Sequence, residues 1–203
     1  MITNFSNNTE EAGRSMVEML GVLAIVGVLS IGGIVGYTKA MAKYKLDKTL
    51  NQISMIITSV HTTFGNQHSY AGLTASTAIT YNIIGEDLSH GTTGDNAVLT
   101  NAFNGSVTIG AMSNTSTDCA TEVTDTTYCP YFKIVYAGLP KQACTEVAMS
   151  DWGGSAASGL YSIKIGEDEF TWDGANKLPI SLVNADSKCS DADTGNTITW
   201  IYN

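Results

Sequence analysis

Positive charge is scarce in this chain: 10 Lys and Arg stand against 19 Asp and Glu in 203 residues, for a net charge of −9. Past Lys48 the only basic residues are Lys133, Lys141, Lys164, Lys177 and Lys188. No basic patch interleaved with aromatics exists there, so nothing supports a nucleic-acid interface. Histidine is rarer still, with His61, His68 and His90 scattered; His61 is expected on an exposed helix face. No C-x-x-C pair occurs and no His stands near a Cys, which leaves zinc without its usual ligand spacing. Neither a nucleophile elbow nor a P-loop is present, and no enzyme is expected. The chain holds no low-complexity tract and no internal repeat. Only three prolines occur, and none of them interrupts Met16 to Phe64.

What is present begins with a hydrophobic run. Met19 to Thr38 is a stretch of 20 residues without formal charge. As a helix it measures about 30 Å, enough to cross a bilayer. Glu18 stands at its leading edge, and an acid there is expensive in lipid, which marks it as a functional candidate. A secretory signal peptide would want a basic start, a shorter apolar core and a small-x-small cleavage site.

After the run, Leu46, Leu50, Ile53, Ile57, Val60 and Phe64 recur at steps of four, three, four, three and four. That is one apolar stripe on a continuing helix, with Lys45, Asp47, Lys48, Asn51 and Gln52 on other faces. One helix from Met16 to Phe64 would measure about 74 Å. Its first half is apolar all round and needs lipid or other protein; its amphipathic second half packs on a globular head. Gly21, Gly27, Gly32, Gly33 and Gly36 permit close helix approach, while weakening the helix by up to about 1 kcal/mol each. Lys39, Lys43, Lys45 and Lys48 follow the run, and the positive-inside rule would place that end in the cytoplasm.

The segment Gly13-Arg14-Ser15-Met16-Val17-Glu18-Met19-Leu20, a glycine followed by an apolar helix with Glu five residues on, resembles the N-terminus of type IV prepilins. The resemblance covers roughly Gly13 to Asn51. It implies cleavage by a prepilin peptidase after Gly13, methylation of Arg14 as the new N-terminus, and a fifth-position Glu18 that attracts the N-terminal amine of a neighbouring subunit. A cationic amine docking beside a carboxylate in hydrocarbon would relieve an unstable charge. Two residues depart from the usual pattern. Arg14 replaces the customary apolar first residue, and the leader, residues 1–13, carries Glu10 and Glu11 but no Lys or Arg.

The remaining chain, about 140 residues past Phe64, suffices for one compact head. Its density of Thr, Ser, Asn and Gly suggests a loop-rich, extracytoplasmic β surface. Cys119, Cys129, Cys144 and Cys189 all lie there. An even number in an exported domain reads as two disulfides, with three pairings open. Strands are expected at Ser106–Met112, Tyr131–Ala137, Leu160–Ile165 and Thr197–Tyr202, and another at Glu169–Trp172 before the Asp173-Gly174 turn. A helix over Lys141–Met149 follows Pro140. Asn66 to Asn101 is expected to be loop with short helical or extended pieces. Asp191 to Asn196 has part of a calcium-loop spacing but reads as a turn. Trp152, Trp172 and Trp200 are expected in the core or a subunit interface rather than in a sugar platform.

The strand, Gly138-Leu139 turn and helix bearing Cys144 resemble the corresponding segment of type IVb pilins of the toxin-coregulated and PilS types. That resemblance implies a Cys144–Cys189 bridge enclosing a variable, surface-exposed region. Cys119 and Cys129 would be an elaboration, and Cys119–Cys129 is the favoured companion pair, closing a short hairpin-like loop.

The reading is therefore an α+β chain, a long N-terminal spine helix packed on an antiparallel β-sheet head. Its parts are a leader (1–13), a transmembrane and filament-core half-helix (14–38), an amphipathic half-helix (39–65) and a disulfide-bonded head (66–203). The resemblance implies a structural subunit of a b-class pilus that self-assembles into an extracellular filament for adhesion or aggregation. Its implied partners are the prepilin peptidase, an inner-membrane assembly platform, an outer-membrane secretin and membrane lipid before assembly; no cofactor or metal is expected. The subunit would wait in the inner membrane with its head periplasmic. The alternatives are a minor pilin, a pseudopilin of a type II secretion system, and a membrane-anchored binding protein that never polymerises.

Overall fold

The computed structural model describes residues 9–85, 88, 97–119, 127–153, 158–191 and 194–203, with side chains from Met16 onward. The chain divides into two compact units, residues 1–44 and 45–203.

Helix α1 runs from Thr9 to Phe64, so it begins seven residues before the expected start at Met16. Without Pro, and with several hydroxyls bonded back to their own helix, nothing local stops it. Ser30 Oγ donates to Val26 O, Thr58 Oγ1 to Ser54 O and Thr62 Oγ1 to Thr58 O.

Within the second unit, the buried face of α1 carries Leu46, Thr49, Gln52, Ile53, Ile56, Val60 and Phe64. The stripe sits slightly round the helix from the expected one. Leu50 and Ile57 are only partly buried, and Gln52, expected on another face, points inward. Lys45 is half-buried with its ammonium 5.9 Å from the centre of the Phe103 ring, within cation–π range.

Seven strands form one antiparallel sheet: β1 (Leu99–Thr100), β2 (Ser106–Asn114), β3 (Thr117–Asp118), β4 (Tyr131–Leu139), β5 (Leu160–Ile165), β6 (Asp168–Thr171) and β7 (Asn196–Tyr202). The order is β1-β2-β4-β7-β5-β6, with β3 paired to β2. The last strand of the sequence is thus an interior strand, between β4 and β5. Register explains the core. Val107, Ile109 and Ala111 face Tyr136, Ile134 and Phe132, which in turn face Ile198, Trp200 and Tyr202; Ile163 follows beyond Trp200. Period-2 alternation puts all of these on one face, and all are buried. The other face carries Thr108, Lys133, Val135, Thr199 and Lys164, as expected for an antiparallel sheet solvated on one side. Lys133 pairs there with Asp118 at 2.6 Å and Lys164 with Glu169 at 3.6 Å.

Among the described residues of the second unit are three further helices, α2 (Ala75–Thr80), α3 (Lys141–Met149) and α4 (Leu182–Lys188). A reciprocal capping box between Thr74 and Thr77 starts α2. Pro140 precedes α3, and the Ser181 hydroxyl caps α4 by accepting from the Asn184 amide.

Candidate functional site

The first unit carries a helix whose described side chains form an apolar surface. From Met16 to Tyr37 every described side chain is exposed, including Leu20 at 64%, Leu23 at 64% and Ile31 at 68%. Burying such residues is worth about 1.5–3 kcal/mol each, and soluble monomers rarely leave a contiguous apolar patch of more than a few hundred Å². The five glycines show the same thing in another way. A Cβ added at Gly21, Gly27, Gly32, Gly33 or Gly36 would meet nothing within 4 Å. Among the described residues, no contact requires a glycine at those positions.

Glu18 lies on this helix, exposed, with no partner among the described residues. Gly13 and Arg14 lie within the backbone of α1; their side-chain surroundings fall outside the described residues, as does the leader over 1–8.

The second feature is the pair of covalent staples in the head. Cys144 on α3 joins Cys189, the C-cap residue of α4, with Cα atoms 5.9 Å apart across 45 residues of sequence. Cys119, beside β3, joins Cys129 at a Cα separation of 6.2 Å across 10 residues. Both favoured pairs therefore form. The second staple reaches the end of α1 through the backbone: Tyr70 N donates to Cys129 O, and Cys129 N donates to the Ser69 hydroxyl.

Asn196 holds the segment after Cys189 to β4. Its Nδ2 donates to Leu139 O and Ser190 O, both at 2.9 Å, while its Oδ1 accepts from Ser190 N at 2.7 Å. The carboxamide is thus spent on the turn, and Asp191 lies 3.9 Å from the Lys141 ammonium. Of the calcium reading, Ala192 and Asp193 fall outside the described residues.

Glycines allow strand ends to meet here. A Cβ on Gly105 would collide with Ala137 O, and one on Gly195, at φ +71°, would lie 2.6 Å from the Gly138 carbonyl carbon.

His61 corrects the expectation of an exposed residue. It is half-buried in a ring cluster, edge-on to Phe132 at 5.3 Å, Tyr202 at 5.8 Å and Tyr70 at 6.3 Å. The Tyr70 hydroxyl lies 3.3 Å from His61 Nδ1, and Nε2 is buried without a partner among the described residues. Burial lowers the imidazole pKa and raises those of the Tyr70 and Tyr202 phenols. His68 is exposed, at φ 53°, and His90 lies outside the described residues.

The tryptophans belong to the core. Trp200 is fully buried and meets Trp152 edge-on at 5.3 Å. The indole N–H of Trp152 donates to Val147 O and that of Trp172 to Leu160 O. A cavity of about 290 Å³ lies among Trp152, Trp172, Leu160 and Pro179. Ser150 and Asp151 also line it, and both indole donors are committed to backbone.

An exposed apolar helix, a carboxylate at the head of its apolar run and a stapled sheet domain have counterparts. Residues 43–203 match the family described as PilS N terminal. Major structural subunits of the bundle-forming pilus from Escherichia coli O127:H6 and O111:H- are each 24% identical over 207 residues, covering 98% of this chain and 98% of theirs. A crystal structure of the type IV b pilin from Salmonella typhi superposes with a TM-score of 0.55 and 19% identity, covering 76% of this chain and 97% of that one. TcpA, a type IV pilin from Vibrio cholerae El Tor biotype, superposes with a TM-score of 0.50 and 11% identity, covering 79% of this chain and 99% of that one.

Proposed function

The chain belongs to the PilS family of pilins, and on that premise we propose that it polymerises through residues 14–38 into an extracellular b-class filament. A pilin is a structural subunit, so the chemistry to explain is assembly and not catalysis. The observation that carries the reading is the helix from Met16 to Tyr37, whose apolar side chains are exposed all round among the described residues. In the inner membrane, lipid covers it. In a filament, the same surface of neighbouring copies covers it, so the transfer exchanges one apolar surrounding for another.

Glu18 supplies the polar part of that exchange. In lipid its charge is costly; beside the N-terminal amine of a neighbouring copy it gains an opposite charge in a dry setting. The amine exists at that depth only after the leader is removed, which fits peptidase cleavage after Gly13 and methylation of Arg14. The head, periplasmic before assembly, then leaves the cell by way of an assembly platform and a secretin. Its two disulfides suit an oxidising compartment, and the surface between Cys144 and Cys189 is what the filament presents for adhesion or aggregation.

The test is the intact mass of the protein sheared from the cell surface. The expected product starts at Arg14 and carries one methyl group. A surface protein still starting at Met1 would refute processing and favour an anchor that never polymerises.

A further inference from the structure

The cavity beside Trp152 and Trp172 is built by local sequence, and polymerisation through α1 does not use it. Helix α3 ends at Met149, and Ser150 leads the chain out of it at extended angles. Trp152 then folds back to place its indole N–H on Val147 O, while the Asp151 carboxylate accepts from Gly153 N at 3.0 Å. Gly153 sits at φ +119°, a conformation that favours glycine. Leu160 of β5, Trp172 just past β6 and Pro179 supply further wall. All twelve lining residues lie between Cys144 and Cys189, inside the longer staple.

The chemistry of the walls selects among ligands. The volume, about 290 Å³, suits a small molecule. Asp151 is the one formally charged residue of the lining, which includes no Lys, Arg or His. Hydrogen-bond donors are scarce: both indole N–H groups and the Ser150 hydroxyl are already on backbone carbonyls. A sugar needs several converging polar groups, and a primary ammonium brings three N–H groups that need acceptors. A phosphate would meet the Asp151 carboxylate with no lining cation to offset it. A quaternary ammonium avoids all three costs. It carries positive charge over methyl groups, donates no hydrogen bond, and is attracted both to a carboxylate and to indole faces. The Met149 thioether, polarisable and adaptable, suits the same methyl surface.

We propose that this cavity binds a small free quaternary ammonium compound of the choline type. Its methyl groups pack against Trp152, Trp172 and Met149, and Asp151 offsets its charge. The site lies wholly within the second unit, and its readout needs neither a filament nor a processed N-terminus.

The experiment titrates the full chain, in a nonionic maltoside detergent, with choline chloride against matched sodium chloride. Tryptophan fluorescence reports binding, since Trp152 and Trp172 line the cavity. The expected result is a saturable response to choline. The neutral isostere with tert-butyl in place of trimethylammonium, ethanolamine and phosphocholine should each bind several-fold more weakly. Asp151→Asn, which keeps the acceptor for Gly153 N, should weaken choline by about 3-fold, and Trp172→Leu by about 10-fold. No saturable response to choline overturns the proposal, as does an undiminished affinity in Asp151→Asn. Equal binding of the neutral isostere reduces the site to an apolar hole and refutes it. Equal binding of ethanolamine refutes the quaternary preference, and phosphocholine binding as tightly as choline replaces the free cation with a lipid headgroup. The four-ligand comparison on the wild type stands even where a variant fails to fold.

Discussion

His61 of α1 and Phe132 of β4 meet edge-on with ring centroids 5.3 Å apart, so the helix docks on the sheet partly through an ionisable ring. Burial lowers the His61 pKa in the folded head. Below pH 6.5 the unfolded chain takes up this proton more readily than the folded one, and the associated stability is lost as pH falls through the lowered folded value. Above pH 6.5 that stability is fully present. Thermal unfolding of the full chain in detergent should therefore show a Tm that drops between pH 7.5 and pH 5 more steeply in the wild type than in His61→Phe. Parallel pH profiles would remove His61 from the account.

The two staples differ in the length of chain they close. In the chain-entropy picture, opening the 45-residue Cys144–Cys189 loop costs about 4 kcal/mol and opening the 10-residue Cys119–Cys129 loop about 3 kcal/mol. Urea titration of the paired Ser variants should rank them in that order.

Asn196 satisfies three backbone groups with one buried side chain. Asn196→Ala should lower head stability by about 3 kcal/mol, because Leu139 O and the Ser190 groups lose their partner inside the fold. Asn184→Ala, on exposed α4, should cost less than about 0.5 kcal/mol in the same titration.

The glycines separate packing within a copy from packing between copies. Gly105→Ala drives a methyl into Ala137 O and should prevent the head from folding to its native stability. A Cβ added at Gly32 meets nothing within 4 Å among the described residues, and Gly32→Leu should leave head unfolding unchanged. If neighbouring helices approach at Gly32, the same variant should reduce filament yield severalfold in sheared surface fractions.

Much of this architecture was legible in residue order, for identifiable reasons. β2, β4, β5 and β7 show period-2 alternation because one face is buried and the other wet, and the core strand positions follow directly. Helix α4 was missed because it buries only Ala185, which leaves no apolar period to find; Ser181 as an N-cap was the available signal. Strands β1 and β3 are two residues each, too short for any pattern.

His61 and Gln52 were misplaced for a different reason. The inward face of α1 includes Thr49 and Gln52 among its apolar residues, which turns the true stripe away from one drawn through hydrophobic positions alone. The insertion of β7 between β4 and β5 depends on pairing across sequence separations from Ile165↔Ile198 to Phe132↔Tyr202, which no local pattern encodes. At the proposed assembly site, Glu18 announced itself as a charge beside a long apolar run.

The most direct measurement is filament yield from cells producing Glu18→Ala beside wild type at equal protein level, counted by electron microscopy and by pilin recovered in sheared surface material. The expected result is abundant filaments from the wild type and none from Glu18→Ala, with the variant retained in the membrane. Normal filaments from Glu18→Ala would contradict assembly through this carboxylate.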